Sequence, residues 1–266
     1  MNRKVNQAID FLKSIENDKP LVLGFSGGKD SVVLLDLAER SGIKYTAIHS
    51  VTTVDPPGTI SFIKKNYPQV VIERPEKTFF QLVSEKGTPG RLKRFCCEEL
   101  KEKGGIGKRF IDGSRAEESS KRSHYEPEQC DTRKFMKGCI HYYAILYWLT
   151  NEVWKYIQNN RLPYIKYYDS PYNLKRHGCV GCPLAGCEQM RYEYKLFPKY
   201  ALAMIKALEK YLNTHPLTVA ANVFDNEYEA FYSYLTEISI SDFKQLKRNL
   251  FGFNAKNIIE KEILNN

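Results

Sequence analysis

Two sets of residues in this chain could do chemistry, and they lie far apart in the sequence. The first is Ser26-Gly27-Gly28-Lys29-Asp30-Ser31, which follows the apolar run Leu21-Val22-Leu23 and precedes a helical pattern. Adjacent glycines let the backbone bend until several N–H groups face one concavity, and the helix that follows adds the positive end of its dipole. A polyphosphate suits such a cradle. Ser26 and Ser31 would add hydroxyls, Lys29 a mobile cation, and Asp30 a carboxylate of the kind that holds the Mg²⁺ accompanying nucleotide phosphates. Lys29 and Asp30 are therefore the candidate catalytic pair. Walker A is excluded, because that motif needs Ser or Thr straight after its lysine and here Asp30 follows Lys29; the dinucleotide fingerprint GxGxxG does not fit either.

The second set is made of cysteines. Cys96 and Cys97 are adjacent in RFCCEELK, and Cys179 and Cys182 form a CxxC in HGCVGCPLAG about eighty residues later. If folding gathers the two pairs, four thiolates suit either tetrahedral zinc or an iron–sulfur cluster. Neighbouring cysteines point apart along a strand, whereas a helical start turns both toward one bulky group. Cys187 is a third kind of candidate: an extra ligand, a reactive thiol or loop filler. Cys130 and Cys139 read as incidental, and His177 as a surface-loop residue.

These groups need a scaffold. Val5, Ala8, Ile9, Leu12 and Ile15 recur at helical spacing before the first strand, and a helix from Val32 to Arg40 should stop near Gly42. Tyr45 to Val51, Val70 to Glu73 and Arg109 to Asp112 read as further strands, with helices through Phe62 and Ile63 and from Thr78 to Lys86 between them. Ile140 to Leu149 looks extended and aromatic. Thr150 is the expected N-cap of a helix over Asn151 to Asn160. Strands alternating with helices at this interval predict an α/β fold, a doubly wound, mainly parallel sheet, with the ligand site at the C-terminal strand ends. From Glu188 onward helix-period apolar residues take over. The expected organisation is a nucleotide-binding α/β domain over 1–187, including the cysteines, and a C-terminal helical extension over 188–266.

With those residues in place a resemblance becomes specific. SGGKDS resembles the PP-loop of the N-type ATP pyrophosphatases and of the related PAPS (3′-phosphoadenylyl sulfate) reductase family, whose fold is adenine nucleotide alpha-hydrolase-like. CC followed at distance by CxxC is similar to the [4Fe–4S] ligand pattern of the assimilatory adenylyl-sulfate reductases, which implies that Cys96, Cys97, Cys179 and Cys182 hold such a cluster. GSRAEESSKR looks like the family's G-x-R-x-x-E-S-x-x-R segment, which implies Arg115, Ser119 and Arg122 near nucleotide phosphates. WLTNEVWKYIQNNRLPYIKYYD, then GCVGCP, looks like the stretch that leads into the family's second cysteine pair. The likeness runs from about Leu21 to Cys187.

Two enzyme chemistries share this scaffold. In the reductases a cysteine of a Cys-Gly motif near the C-terminus attacks the substrate's sulfur; here no cysteine follows Cys187. In the ATP pyrophosphatases an acceptor oxygen attacks the α-phosphorus of ATP and pyrophosphate leaves. Reductases of the family often lack the lysine and acidic residue of the loop, and this chain has both Lys29 and Asp30. The expectation is an ATP-using, cluster-bearing enzyme of sulfur transfer, with ATP, Mg²⁺ and a [4Fe–4S] cluster as cofactors. A sulfonucleotide reductase with a non-standard or partner nucleophile, and a non-catalytic ATP-binding adaptor, are the alternatives. Of the 266 residues 42% are hydrophobic and 27% charged, and the net charge is +9, which suits a polyanionic partner. Expected partners are an adenine nucleotide, nucleic acid and a sulfur-donor or redox protein. The charged start MNRKVNQAIDFLKSIEN lacks the apolar stretch of a signal peptide, and no run is long enough to span a bilayer. A cytoplasmic location, no membrane and reduced thiols are expected.

Overall fold

Leu21 and Leu23 alternate with less buried neighbours, as a strand between helix layers requires, and they begin the sheet as β1 (Leu21–Gly24). The computed structural model describes residues 1–102, 107–133, 136–249 and 252–265. By the density of their internal packing these fall into two units: Met1–Val51, Pro57–Pro75 and Glu98–Gly178 form the first, and Thr52–Pro56, Glu76–Cys97 and Cys179–Asn266 the second.

The first unit holds the sheet. Its strands are β1, β2 (Thr46–Ser50), β3 (Val71–Glu73), β4 (Arg109–Ile111), β5 (Glu128–Cys130) and β6 (Ile140–Tyr142). They lie in the order β3-β2-β1-β4-β6-β5, parallel throughout except that β5 runs antiparallel to β6 at the edge. The chain moves outward from β1 through β2 to β3 and then returns to β4 on the other side of β1. The C-terminal ends of β1 and β4 therefore flank the topological switch point, where open α/β sheets bind ligands. Helix α1 (Asn2–Ser14) packs on α2 (Lys29–Ser41), and α2 on α6 (Thr150–Asn159); α3 (Thr59–Asn66) links β2 to β3. Leu12, Leu23, Val33, Leu34, Leu37, Ile63, Ile111, Ile145 and Val153 fill the core between them. Gly42 ends α2 at φ 73°, a left-handed position at which glycine meets no Cβ penalty.

Two local expectations are corrected and one strand was not anticipated. The aromatic stretch after Ile140 is a strand only as far as Tyr142; Leu146 then bonds back to Tyr143 and Trp148 to Ile145, so the chain turns under the sheet rather than extending. Thr150 is the first residue of α6 and not its cap; Leu149 precedes the helix, and the Thr150 hydroxyl donates to Glu117 Oε2 at 3.0 Å. The edge strand β5, Glu-Gln-Cys, is too short and polar to give a periodic signal.

The β6 edge carries a charged network. His141 lies between two carboxylates, with Nδ1 3.1 Å from Asp112 Oδ2 and Nε2 3.1 Å from Asp131 Oδ2, and Arg133 joins Asp131 to Glu102. Burial disfavours the imidazolium, but Asp112 and Asp131 outweigh it and raise the His141 pKa above its ordinary 6.5. A raised folded-state pKa gives stability that is complete below 6.5 and lost as pH climbs through the raised value. The urea midpoint of the wild-type chain should accordingly fall between pH 6 and pH 9, and His141→Gln should flatten that fall. Asp131 has the opposite sign: burial raises its pKa, the Arg133 hydrogen bonds overcome this, and the result is about 2. Its contribution is present above 3.8 and lost only as pH approaches 2.

The second unit is helical: α4 (Phe79–Lys86), the start of α5 (Phe95–Leu100), α7 (Cys187–Leu196), α8 (Pro198–Thr214), α9 (Glu227–Thr236), α10 (Ile240–Asn249) and α11 (Ala255–Ile259). Thr78 and Gln81 cap α4 reciprocally. Helix α8 packs on α4, α7 and α9, around Met190, Tyr194, Ala201, Met204 and Phe231. Phe224, Tyr232 and Phe253 surround Phe243 in the C-terminal part. The short stretch Thr52–Pro56 belongs here because it is stitched to these helices: Thr53 Oγ1 accepts the Phe79 N–H at 2.8 Å, Tyr200 donates to Asp55 O at 2.8 Å, and Val180 N–H donates to Val54 O at 2.8 Å. The division differs from the expected boundary at Cys187, for Cys96, Cys97, Cys179 and Cys182 all fall in this helical unit. No helix among the described residues is long and apolar enough to cross a membrane.

Candidate functional site

The chain leaves β1 at Gly24, and Phe25 N–H donates to Ile48 O at 2.8 Å, which anchors the start of the loop to β2. Gly27 then takes φ 79°, a left-handed turn, with Ile63 Cδ1 3.5 Å from where a Cβ would stand. Gly28 precedes α2 in an extended conformation. The two serines shape the loop: Ser26 Oγ accepts the Gly28 N–H at 3.2 Å, and Ser31 Oγ donates to Gly28 O at 2.9 Å. Lys29, Asp30 and Ser31 occupy the first turn of α2, where helical N–H groups have no intrahelical acceptor.

Lys29 and Asp30 are locked together. The Lys29 ammonium is 2.9 Å from Asp30 Oδ2, and the side chain is only 6% exposed. The other carboxylate oxygen, Oδ1, accepts from Arg115 Nε at 2.7 Å. Gly113 makes this approach feasible, since a Cβ there would lie 3.2 Å from Asp30 Cβ.

Arg115 was expected at phosphate, and its surroundings assign it other partners. It is 2% exposed, and beyond Asp30 its Nη1 donates to Glu117 Oε2 at 2.8 Å and to Trp148 O at 3.1 Å, its Nη2 to Thr150 Oγ1 at 3.1 Å. Burial disfavours its charge, and Asp30 and Glu117 more than offset that, so its pKa is raised. The guanidinium is thus the pillar that holds Asp30 in place. Ser119 and Arg122 stand farther out: the Ser119 hydroxyl accepts the Arg122 N–H at 3.2 Å, and Arg122 pairs with Glu118.

Asp30, expected to hold Mg²⁺, has one ion-pair partner on each carboxylate oxygen, Lys29 on Oδ2 and Arg115 on Oδ1, and each oxygen keeps a second lone pair. His177, expected on a surface loop, instead approaches the glycines: its Nε2 is 3.3 Å from Thr59 Oγ1, and its Cβ 3.5 Å from a Cβ placed on Gly28. Tyr168 was missed. Its hydroxyl accepts the Lys29 N–H at 3.0 Å; the available signal was the Tyr-Asp pair in LPYIKYYD, which closes on the loop.

In the helical unit Cys96 and Cys97 sit at the start of α5, and these two, like Cys179 and Cys182, are free thiols. The Cys96 thiol is pushed far above its ordinary range, first by its hydrogen bond with Cys97, then by burial and by the nearby Cys97, Cys179 and Cys182. The two pairs therefore share one neighbourhood. Among the described residues no three or more His, Cys, Asp or Glu close on a single-ion geometry. The donor set is four sulfurs, the soft set that iron–sulfur clusters use.

The CxxC turn is clamped at Gly181, which has φ 69°. Its N–H donates to Glu193 Oε2 at 2.8 Å, its C=O accepts from the Tyr234 hydroxyl at 2.5 Å, and the Tyr194 ring lies 2.3 Å from where a Cβ would stand. Only glycine fits. Glu193→Ala leaves a buried N–H without its acceptor and should lower stability by about 1–3 kcal/mol, read as a lower urea midpoint at unchanged slope. Cys187 is a poor nucleophile here, because burial and Glu237 raise its thiol pKa.

Comparison with known proteins adds the family context. The profile of the phosphoadenosine phosphosulfate reductase domain matches residues 20–185. An adenosine 5′-phosphosulfate reductase of Staphylococcus epidermidis is 31% identical over 205 residues, 68% of this chain and 79% of that protein. An uncharacterized protein of Methanocaldococcus jannaschii is 28% identical over 79% of this chain and 46% of its own length. The chain spans about half the length of the first curated relatives it matches. Among solved structures, the U34-tRNA thiolase of Methanococcus maripaludis with its [4Fe–4S] cluster aligns over 94% of this chain and 82% of that chain, at 13% identity and TM-score 0.40.

Proposed function

This chain belongs to the phosphoadenosine phosphosulfate reductase family, and from that membership we propose that it is an ATP-using enzyme of sulfur transfer. It binds ATP at Ser26–Ser31, an acceptor oxygen attacks the α-phosphorus, the bond to the bridging oxygen breaks and pyrophosphate leaves with the electron pair. The adenylated acceptor is then open to sulfur, which displaces AMP. The observation that carries this reading is the intact cradle, in which buried Lys29 stands at the N-terminus of α2 and is held by an Asp30 that Arg115 fixes. Lys29 and the first-turn N–H groups stabilise charge as it develops on the departing phosphates. Asp30 orients Lys29.

Cys96, Cys97, Cys179 and Cys182 fit a [4Fe–4S] cluster by donor type and proximity, one thiolate for each iron, and such a cluster when bound would supply a redox-active group held by the protein on all four irons. The Gly181 clamp keeps Cys179 and Cys182 on a fixed turn. A net charge of +9 is compatible with a nucleic-acid acceptor as it is with the nucleotide itself.

One observation favours a second reading: the named relatives of known activity reduce adenosine 5′-phosphosulfate. That chemistry needs a nucleophilic thiolate, and burial and Glu237 push the Cys187 thiol pKa up, which disfavours that form. A protein that binds ATP without turning it over is a third. Incubation of the anaerobically isolated chain with ATP and nucleic-acid acceptors, beside a parallel sample with adenylyl sulfate and thioredoxin, separates them. Acceptor-dependent pyrophosphate is expected; sulfite without pyrophosphate establishes the reductase, and neither product establishes the binding protein.

A further inference from the structure

The Lys29 backbone N–H belongs to the first turn of α2, so it is one of the donors that a bound phosphate would use. It is already spoken for. The phenol oxygen of Tyr168 accepts it at 3.0 Å, and the same oxygen accepts the backbone N–H of His177. A single oxygen that receives two backbone N–H bonds at a helix N-terminus stands where a phosphate oxygen would stand.

The chain on either side of this ring is held in place by its own contacts. Its neighbour Tyr167 is buried and tied down, donating to Pro57 O at 2.5 Å and packing on Tyr172 at 4.9 Å between centroids. Leu174 N–H donates to Tyr167 O at 2.8 Å, which fixes the backbone on the other side. At Tyr168 itself, Trp154 meets the ring edge-on at 5.0 Å, and the Lys29 ammonium is 5.7 Å from its centroid. Gly28 leaves it room, since a Cβ there would lie 3.2 Å from the hydroxyl.

We infer that Tyr168 competes with the nucleotide's phosphate for the Lys29 and His177 N–H groups, so that polyphosphate enters by displacing the phenol from the cradle. The inference rests on the reading of Ser26–Ser31 as a phosphate site. It makes Tyr168 a residue that sets phosphate affinity, and it makes Trp154 a reporter of occupancy, because the displaced ring leaves its edge-on contact.

Inorganic pyrophosphate titrated into the full chain, followed by calorimetry and tryptophan emission, tests this. The wild type should bind with a change in emission that Trp154→Phe removes. Tyr168→Phe should bind pyrophosphate about fivefold more tightly, since without the hydroxyl both N–H groups need the acceptor that phosphate brings, a net gain of about one hydrogen bond. Its emission change should be smaller. Weaker binding by Tyr168→Phe would make the hydroxyl a direct phosphate ligand and overturn the inference, as would an unchanged affinity. If that variant does not fold, pyrophosphate binding by the wild type with unaltered Trp154 emission overturns it equally. Absence of pyrophosphate binding by the wild type would instead remove the phosphate-site reading on which it stands.

Discussion

Replacing Lys29 with alanine should lower acceptor-dependent pyrophosphate release by about 10²–10³-fold while the chain stays folded, the loss typical of removing one positioned charge donor from a transition state. The physical reason lies in where the ammonium sits. It is nearly buried, beside the first turn of α2, so its charge acts through little water and is not spent on screening. Folding depends on it less than turnover does, because Asp30 keeps its bond to Arg115 when the lysine is gone. Circular dichroism and the urea midpoint report the fold, and pyrophosphate release reports the site. Full activity in Lys29→Ala would remove Lys29 from the chemistry and the ATP reading with it.

The second large effect is on stability. Arg115→Ala should destabilise the chain by about 3–5 kcal/mol, because it removes the partner of the partly buried Asp30 and opens a cavity beneath Trp148 and Thr150. Arg115→Lys should recover only part of this, since one ammonium cannot reach Asp30, Glu117, Trp148 O and Thr150 as the guanidinium fork does. Urea denaturation of the full chain measures both. A loss below about 1 kcal/mol in Arg115→Ala would show that the pillar is dispensable, and would return Arg115 to the role of a phosphate contact.

What the sequence makes legible here is local. LVLG followed, after Phe25, by SGGKDS encodes strand, turn and helix within eleven residues, and Gly42 marks the end of that helix in a left-handed conformation that costs glycine no Cβ clash. What it hides is long-range. Arg115 finds Asp30 across 85 residues and Thr150 across 35, and the Tyr168 hydroxyl reaches Lys29 across 139; none of these pairings leaves a periodic trace. The stretch after Ile140 misleads because aromatic residues serve a buried turn as well as they serve a strand. The cysteines show both sides. Their types and spacing declare a soft-sulfur set, but that the two pairs fall in one unit with α7 to α9 is a long-range outcome that the spacing does not encode.

The central claim is that Cys96, Cys97, Cys179 and Cys182 serve one centre in a chain whose loop activates with ATP. Iron and acid-labile sulfide, determined on the anaerobically isolated chain beside its Cys179→Ser variant, test it most directly. About four irons and four sulfides per wild-type chain are predicted, with loss of both in the variant. One zinc per chain without sulfide, or iron that survives the variant unchanged, would contradict it.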